Sequence, residues 1–246
     1  MPQHVRSKWK KTSAIKADPY LRRLVPRTSP LNRSSLLRML ERYGMAYAKP
    51  NVGTHGKGVM KAEHKRGRFR FQSGRKLRSF GSFEPMAGAL LAKTRGKSYL
   101  VQQGIRLLKY KGRVYDLRIM AQMNHRGTWE TTGMIGRIAA PGKIVTNYHG
   151  GGRLVSVGRL LDGHMGRSAK AAIVRQLAKI GVLAGRAMRR RFAGVREVGV
   201  DVGLDRSRKP WIIEVNTLPD PYIFRKLPDP SVFKRIRKYQ KAYGRK

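Results

Sequence analysis

Hydrophobic and polar positions alternate most regularly over residues 197–221, EVGVDVGLDRSRKPWIIEVNTLPDP. Two alternating runs around a polar turn that contains proline predict a β-hairpin. In the first run Val198, Val200, Val202 and Leu204 share one face, and Glu197, Gly199, Asp201 and Gly203 share the other. In the second run Ile212, Glu214 and Asn216 point one way, and Trp211, Ile213 and Val215 the other. Closed symmetrically about Ser207 and Arg208, the hairpin sets Asp201 opposite Glu214. The glycines either side of Asp201 leave room there for a ligand.

A helical period appears in four other places. A short helix starts at Ser34 and stops at Gly44, and a second is capped by Ser82 and runs to about Thr94. The clearest spans 168–192, with Ile173, Leu177, Ile180, Ala184 and Ala187 on one stripe. The last begins at Ser231 and turns Val232, Phe233, Ile236 and Tyr243 inward, leaving a basic outer face. Strands are expected over 45–49, 59–63, 99–105, 114–120 and 129–140, with 65–78 as strand and turn. They read as one continuous antiparallel meander that leads back to the hairpin. Residues 1–30, broken by Pro19, Pro26 and Pro30, read as a basic arm with one helical turn, and Trp9 as a packing residue.

Length allows one large domain or two lobes with a real core. The absence of cysteine excludes thiol catalysis, thiolate metal sites and disulfides. No segment resembles a signal peptide, and no apolar run approaches the ~20 residues of a membrane span, so a cytoplasmic protein is expected. The 55 Lys and Arg residues outnumber 13 Asp and Glu, for a formal charge of +42. Such a field draws in nucleic acid, teichoic acid, acidic peptides or anionic membranes without choosing among them. Because the basic residues are spread through the chain, solvated surface accounts for most of them. The six histidines form no helical i, i+4 pair with a general-base glutamate, and no nucleophile elbow is present, so zinc and serine hydrolases are excluded.

Facing carboxylates at Asp201 and Glu214 repel unless a positive charge sits between them. A divalent cation would supply it, and with the Asn216 amide oxygen the set is one of hard ligands suited to Mg²⁺. A lysine or arginine would serve equally. Upstream, PNVGTHGKGV carries Gly53, Gly56 and Gly58 around Thr54 and Lys57, and such a loop lets backbone amides approach an anion. It matches neither the Walker nor the dinucleotide motif, so a plain flexible turn remains the alternative. Asp116 and Arg118 share one strand face, where pairing with neighbouring strands is the simple expectation.

The order of parts is a lysine strand, glycine-rich hairpin loop, helix, buried hinge strand, Asp-x-Arg strand, Asn-containing loop, then Asp and Glu-x-Asn. It resembles the ATP-grasp superfamily of carboxylate–amine ligases over residues 45 to about 221. More narrowly, KPNVGTHGKGV, YLVQQGI, YDLRIM, GKIVTNYHGGG, GVDVGLD and IIEVNTLPDPYIF are similar to the YheC/YheD group of endospore-coat-associated ATP-grasp proteins. The Asp-Leu-Arg and Glu-Val-Asn elements are also similar to those of tubulin-tyrosine ligase-like enzymes and the ribosomal-protein glutamate ligase.

The resemblance implies an α+β ATP-grasp fold, two α/β lobes clasping the nucleotide between antiparallel sheets, without a full N-terminal pre-ATP-grasp domain. Residues 1–44 would be a basic arm and short helix, 45–105 the small lobe with loop and hinge, 106–224 the large lobe with the metal site, and 225–246 a basic C-terminal helix. It further implies ATP with Mg²⁺, or Mn²⁺ in its place. Lys49 would contact the phosphates, and the loop of Gly53, Thr54, Gly56 and Gly58 would fold over them. Gln103 and the backbone of Gly104 and Ile105 would hold adenine, and Asp116 would lie near the ribose. Arg118 and Arg137 would meet phosphate or acyl phosphate, Thr146 and Asn147 would touch the nucleotide, and Asp201, Glu214 and Asn216 would bind the metal. The implied reaction joins a carboxylate to an amine on an acidic peptide or anionic polymer, in the cytoplasm or the spore coat with its components as partners. A non-catalytic ATP-binding coat protein is one alternative. A polyanion- or nucleic-acid-binding protein, with affinity that falls steeply with salt, is the other.

Overall fold

The first thirty residues are more ordered than their composition predicts. In the computed structural model, which describes residues 2–245, they form helices α1 (Lys8–Lys16) and α2 (Pro19–Arg22) and strand β1 (Thr28–Pro30). Met1 and Lys246, the ends of the first and last expected segments, lie outside the described residues. Both helices carry N-caps: the Ser7 hydroxyl accepts from the Lys10 amide, and the Asp18 carboxylate accepts from Tyr20 and Leu21 ahead of which Pro19 presets the turn. The buried stripe of α1 is only Lys11, Ala14 and Ile15, and a stripe that short with a lysine in it leaves no readable period. Ile15, Leu21 and Leu24 nonetheless join the main core. At about 2 kcal/mol each they give the basic segment reason to dock. Trp9, expected to pack, is 41% exposed.

Helix α3 (Arg33–Tyr43) follows, closed at its start by a capping box between Asn32 and Ser35 and at its end by Gly44 at φ 66°. A six-stranded antiparallel sheet comes next, built from β1, β2 (Met45–Pro50), β3 (Met60–Lys65), β4 (Arg68–Ser73), β5 (Lys76–Phe80) and β6 (Tyr99–Gln103) in the order β1-β6-β2-β3-β4-β5. Helix α4 (Phe83–Ala92) joins α3 on one face. Ala46, Ala48, Ala62, Phe71 and Val101 point into that layer. The two-residue period then obliges Tyr47, Lys49 and Gln102 to point to the opposite face.

The second sheet carries β7 (Lys109–Tyr110), β8 (Arg113–Met123), β9 (Trp129–Ile138), β10 (Arg153–Val155), β11 (Glu197–Leu204) and β12 (Pro210–Asn216). Its order is β10-β9-β8-β11-β12, with β7 beside β8. The hairpin therefore does not end a meander. After helix α5 (Val157–Leu161), the long helix α6 (Arg167–Arg191) carries the chain back across the sheet, and β11 enters against β8. Close approach makes this crossover possible. A Cβ on Gly185 would stand 2.1 Å from the Trp129 ring, and one on Gly181 would stand 2.7 Å from the Thr131 hydroxyl oxygen.

Helix α7 (Pro230–Ala242) covers the far face, with Ile236 and Gln240 buried. It helps enclose Glu197, whose carboxylate is 0% exposed. Gln240 Nε2 donates to it at 3.0 Å, the Tyr243 hydroxyl at 2.7 Å, and Arg245 forms the ion pair. Among the described residues no helix is long and apolar enough to cross a membrane.

Candidate functional site

Strand register builds the floor of the site. Asp116 on β8 pairs across to Arg137 on β9, and Arg118, two residues further along β8, pairs across to Asp201 on β11. Side chains two apart share a face, so two acids and two arginines meet in an alternating square. Arg137 donates through Nε to Asp116 Oδ1 at 2.8 Å and through Nη2 to Oδ2 at 2.6 Å. Its Nη2 also reaches Asp201 Oδ2 at 2.9 Å. Arg118 donates to both Asp201 oxygens, at 3.2 Å to Oδ2. All four residues are under 9% exposed. Burial alone would raise the Asp201 pKa, but Arg118 and Arg137 more than offset it and hold the carboxyl at about 2. Burial likewise disfavours the Arg137 cation, and the two aspartates reverse that effect.

The hairpin turn is held by Asp205, which accepts from the Ser207 and Lys209 amides and from the Trp211 indole N–H. Asp201 does stand opposite Glu214, as the symmetric hairpin predicts. Beyond that pair the register shifts, because Val202 faces Ile212 and Ile213 is the extra residue of a β-bulge. Ile212 therefore goes into the core with Val215, while Ile213, Glu214 and Asn216 line the cavity. The flanking glycines are used differently from the expectation. A Cβ on Gly199 would meet Pro219 at 2.6 Å and Arg118 at 3.1 Å, and one on Gly203 would meet Leu107 at 2.5 Å. They admit protein side chains, not ligand.

Between the two sheets lies a cavity of about 430 Å³. From the first sheet and its glycine loop it receives Lys49, Gly53, Thr54, Gly56 and Gln103, then Ile105 just beyond β6. The large lobe contributes Asp116, Arg118, Arg137, Thr146, Asn147, Asp201, Glu214 and Asn216. Of the residues singled out from sequence, Gly58 and Gly104 do not line it. Gly58 turns the loop at φ 76°, beside Tyr99 and Pro50. Gly104 is a packing glycine: its N–H donates to Met45 O at 2.8 Å, and a Cβ would lie 2.4 Å from the Met45 side chain. Its amide is thus committed within the protein. The Gln103 side chain accepts from Arg27 N at 3.2 Å, tying the end of β6 to the N-terminal segment.

The glycine loop is closed down on the large lobe. Asn147 Nδ2 donates to His55 O at 2.8 Å, and Gln72 Nε2 donates to Gly142 O at 2.7 Å. Thr146 donates its hydroxyl to Asp116 Oδ2 at 2.6 Å, so both Asp116 oxygens are engaged. Lys49 donates to Gln102 Oε1 at 2.5 Å. Desolvation lowers the Lys49 pKa to about 8, against the upward pull of Glu214, Asp201 and Asp116.

Positive groups from the protein balance the facing carboxylates. Arg118 and Arg137 serve Asp201, and Lys8, from α1, lies 3.2 Å from Glu214 Oε1. Sequence inspection missed Lys8 and its neighbour Lys11 because their segment shows no apolar period. For a hard cation the fit is divided. Glu214 and Asn216 are oxygen donors on one edge of the cavity and suit it. Asp201 lines the same cavity with both oxygens accepting from guanidinium groups.

The family model described as YheC/D like ATP-grasp matches residues 2–246. The chain is 24% identical over 225 residues to the endospore coat-associated protein YheD of Bacillus subtilis (strain 168). That alignment covers 89% of this chain and 49% of the relative, so the chain spans about half the length of the curated relative it matches.

Proposed function

The chain belongs to the YheC/D-like ATP-grasp family, and from that premise we propose that it is an ATP- and Mg²⁺-dependent carboxylate–amine ligase. Its acceptor would be an acidic peptide or anionic polymer, which the +42 surface attracts. Association with the spore coat follows the name of the Bacillus subtilis relative. One observation carries the reading: Lys49 from one lobe and Glu214 with Asn216 from the other converge on a cavity roofed by the glycine loop. Its volume lies in the range of small-molecule sites.

Lys49 in its protonated form offers a charge-assisted hydrogen bond to a phosphate oxygen. Ile105, Leu107 and Val114 present apolar surface for the base at the hinge end. Glu214 and Asn216 are the residues that would hold Mg²⁺, with Asp201 beside them. The ion, when bound, would screen and orient the phosphates. In the first step an acceptor carboxylate oxygen bonds to the γ-phosphorus, and the bond from that phosphorus to the ADP bridging oxygen breaks with its electron pair on ADP. In the second, an amine nitrogen bonds to the acyl carbon, phosphate leaves, and the nitrogen's proton passes to solvent. Both steps call for positioning and charge neutralisation more than for a protein nucleophile.

Calorimetric titration with ATP, with and without Mg²⁺ and at raised salt, tests the reading in wild type and Glu214→Ala. Saturable Mg²⁺-dependent binding that is lost in the variant is expected, followed by ADP release on adding a glutamate-rich peptide and an amine. Folded wild type without such binding would overturn the nucleotide reading. Binding without ADP release for any carboxylate offered would favour a non-catalytic ATP-binding coat protein.

A further inference from the structure

A second, smaller cavity of about 30 Å³ opens between α1, the β1–β6 pair and β12. Such a volume holds one or two water-sized groups. It shares Lys8, Lys49 and Glu214 with the main cavity, so it is a side chamber at the cleft's lysine and carboxylate end. Lys11 adds a third ammonium. Positions i and i+3 of a helix share a face, and this places Lys8 and Lys11 together above β12.

Lys11 is 5% exposed. None of the hydrogen bonds or ion pairs of the described residues includes its ammonium. Desolvation pushes its pKa down and Lys8 pushes it further, while Glu214 pulls the other way. The Glu214 carboxylate is already engaged by Lys8. A buried ammonium without an acceptor is costly, and an anion entering the chamber would relieve that cost. The chamber's remaining walls include Ile15, Val25, Leu100 and Ile212, and its volume leaves room for a carboxylate group, with the stem that carries it lying in the main cavity.

We propose that this chamber is an anion subsite that takes an aliphatic carboxylate of the acceptor, such as a glutamyl side chain, with Lys11 as its hydrogen-bond donor. The assignment rests on the nucleotide reading of the cleft, because Lys49 and Glu214 are what put a carboxylate held there beside the transferable phosphoryl group. The chamber's small volume favours a planar carboxylate over a tetrahedral phosphate.

Glutarate and inorganic phosphate are titrated, at constant ionic strength, into protein loaded with Mg²⁺ and a non-hydrolysable ATP analogue, for wild type and Lys11→Met. Glutarate should saturate and bind more tightly than phosphate. It should weaken about tenfold or more in the variant, the loss expected for one charge-assisted hydrogen bond. In reductively methylated wild type, the Lys11 dimethylammonium NMR signal should shift with glutarate, a readout that needs no variant to fold. Equal glutarate affinity in the variant, or a stationary Lys11 signal, overturns the proposal. So does glutarate binding that the nucleotide displaces, since Lys11 would then serve the nucleotide's own phosphates. If wild type binds no nucleotide yet keeps Lys11-dependent glutarate binding, the ligase reading falls and the anion subsite stands.

Discussion

The Lys8 ammonium lies 3.2 Å from Glu214 and also donates to the Gly53 carbonyl at 2.8 Å, so one side chain of the first helix joins the glycine loop to the acidic hairpin. It occupies the position beside Glu214 that a divalent cation would contest. Lys8→Met should lower the Mg²⁺ concentration needed for half-maximal nucleotide binding by about 2- to 5-fold, as expected for removing one partly exposed ion pair. It should also speed amide hydrogen exchange over residues 53–58. Calorimetry and exchange mass spectrometry read the two effects separately.

Asp201 is the hub of the buried charge square, touching both arginines. Asp201→Asn leaves Arg118 and Arg137 with a single carboxylate, Asp116, between them. Breaking a buried pair from one side costs about 3–5 kcal/mol. Urea unfolding of the variant should show a loss of that size, and nucleotide binding should be measured only where the variant remains folded.

Lys49 gives the nucleotide site a pH signature. Its pKa of about 8 lies below the ordinary lysine value, so the folded protein binds fewer protons than the unfolded chain between pH 8 and 10.5. The cost of holding it charged is present below pH 8 and fades as pH rises toward the ordinary value. A phosphate beside Lys49 restores the proton. At pH 8 nucleotide binding should therefore take up about half a proton, and affinity should fall as pH rises further. Titrations in buffers of different ionisation enthalpy measure that uptake, and Lys49→Met should abolish it.

Gly104 has no room for a side chain, with Met45 backbone at 2.8 Å from a hypothetical Cβ. Gly104→Ala should destabilise the protein by about 1–3 kcal/mol, the usual cost of overpacking. Because its neighbours Gln103 and Ile105 line the cavity, nucleotide affinity should drop in the same variant. A control, Gly74→Ala, has open space around its Cβ and a φ of 61°, so it should show only the backbone cost of a left-handed turn.

The parts of the site that were legible in the sequence are those where chemistry and local period coincide. Asp201, Glu214 and Asn216 stand out because few acids compete with them and strand alternation lines them up. The family motifs carried Lys49, the glycine loop, Asp116, Arg118 and Arg137 to one cleft. Three things were not legible. The bulge at Ile213 depends on how β11 and β12 pair, which alternation cannot show. The Arg118–Asp201 pair depends on β11 lying against β8, a non-local contact set by the α6 crossover. Lys8 and Lys11 act from a segment whose apolar stripe is too short to register as a helix.

The anchoring of Gln3 and Val5 bears on the order in which parts of the fold can settle during synthesis. Val5 N–H is held by the Thr217 hydroxyl at 2.9 Å, and Gln3 N–H by Gly194 O at 2.9 Å. A ribosome must deliver the chain as far as Gly194 and Thr217 before Gln3 and Val5 have their seats. Residues 33–103, whose strands pair with near neighbours, can settle far earlier. Gln3 and Val5 are thus made before the first sheet and fastened after it, and the Lys8 link from the glycine loop to the hairpin closes only once Glu214 has been made.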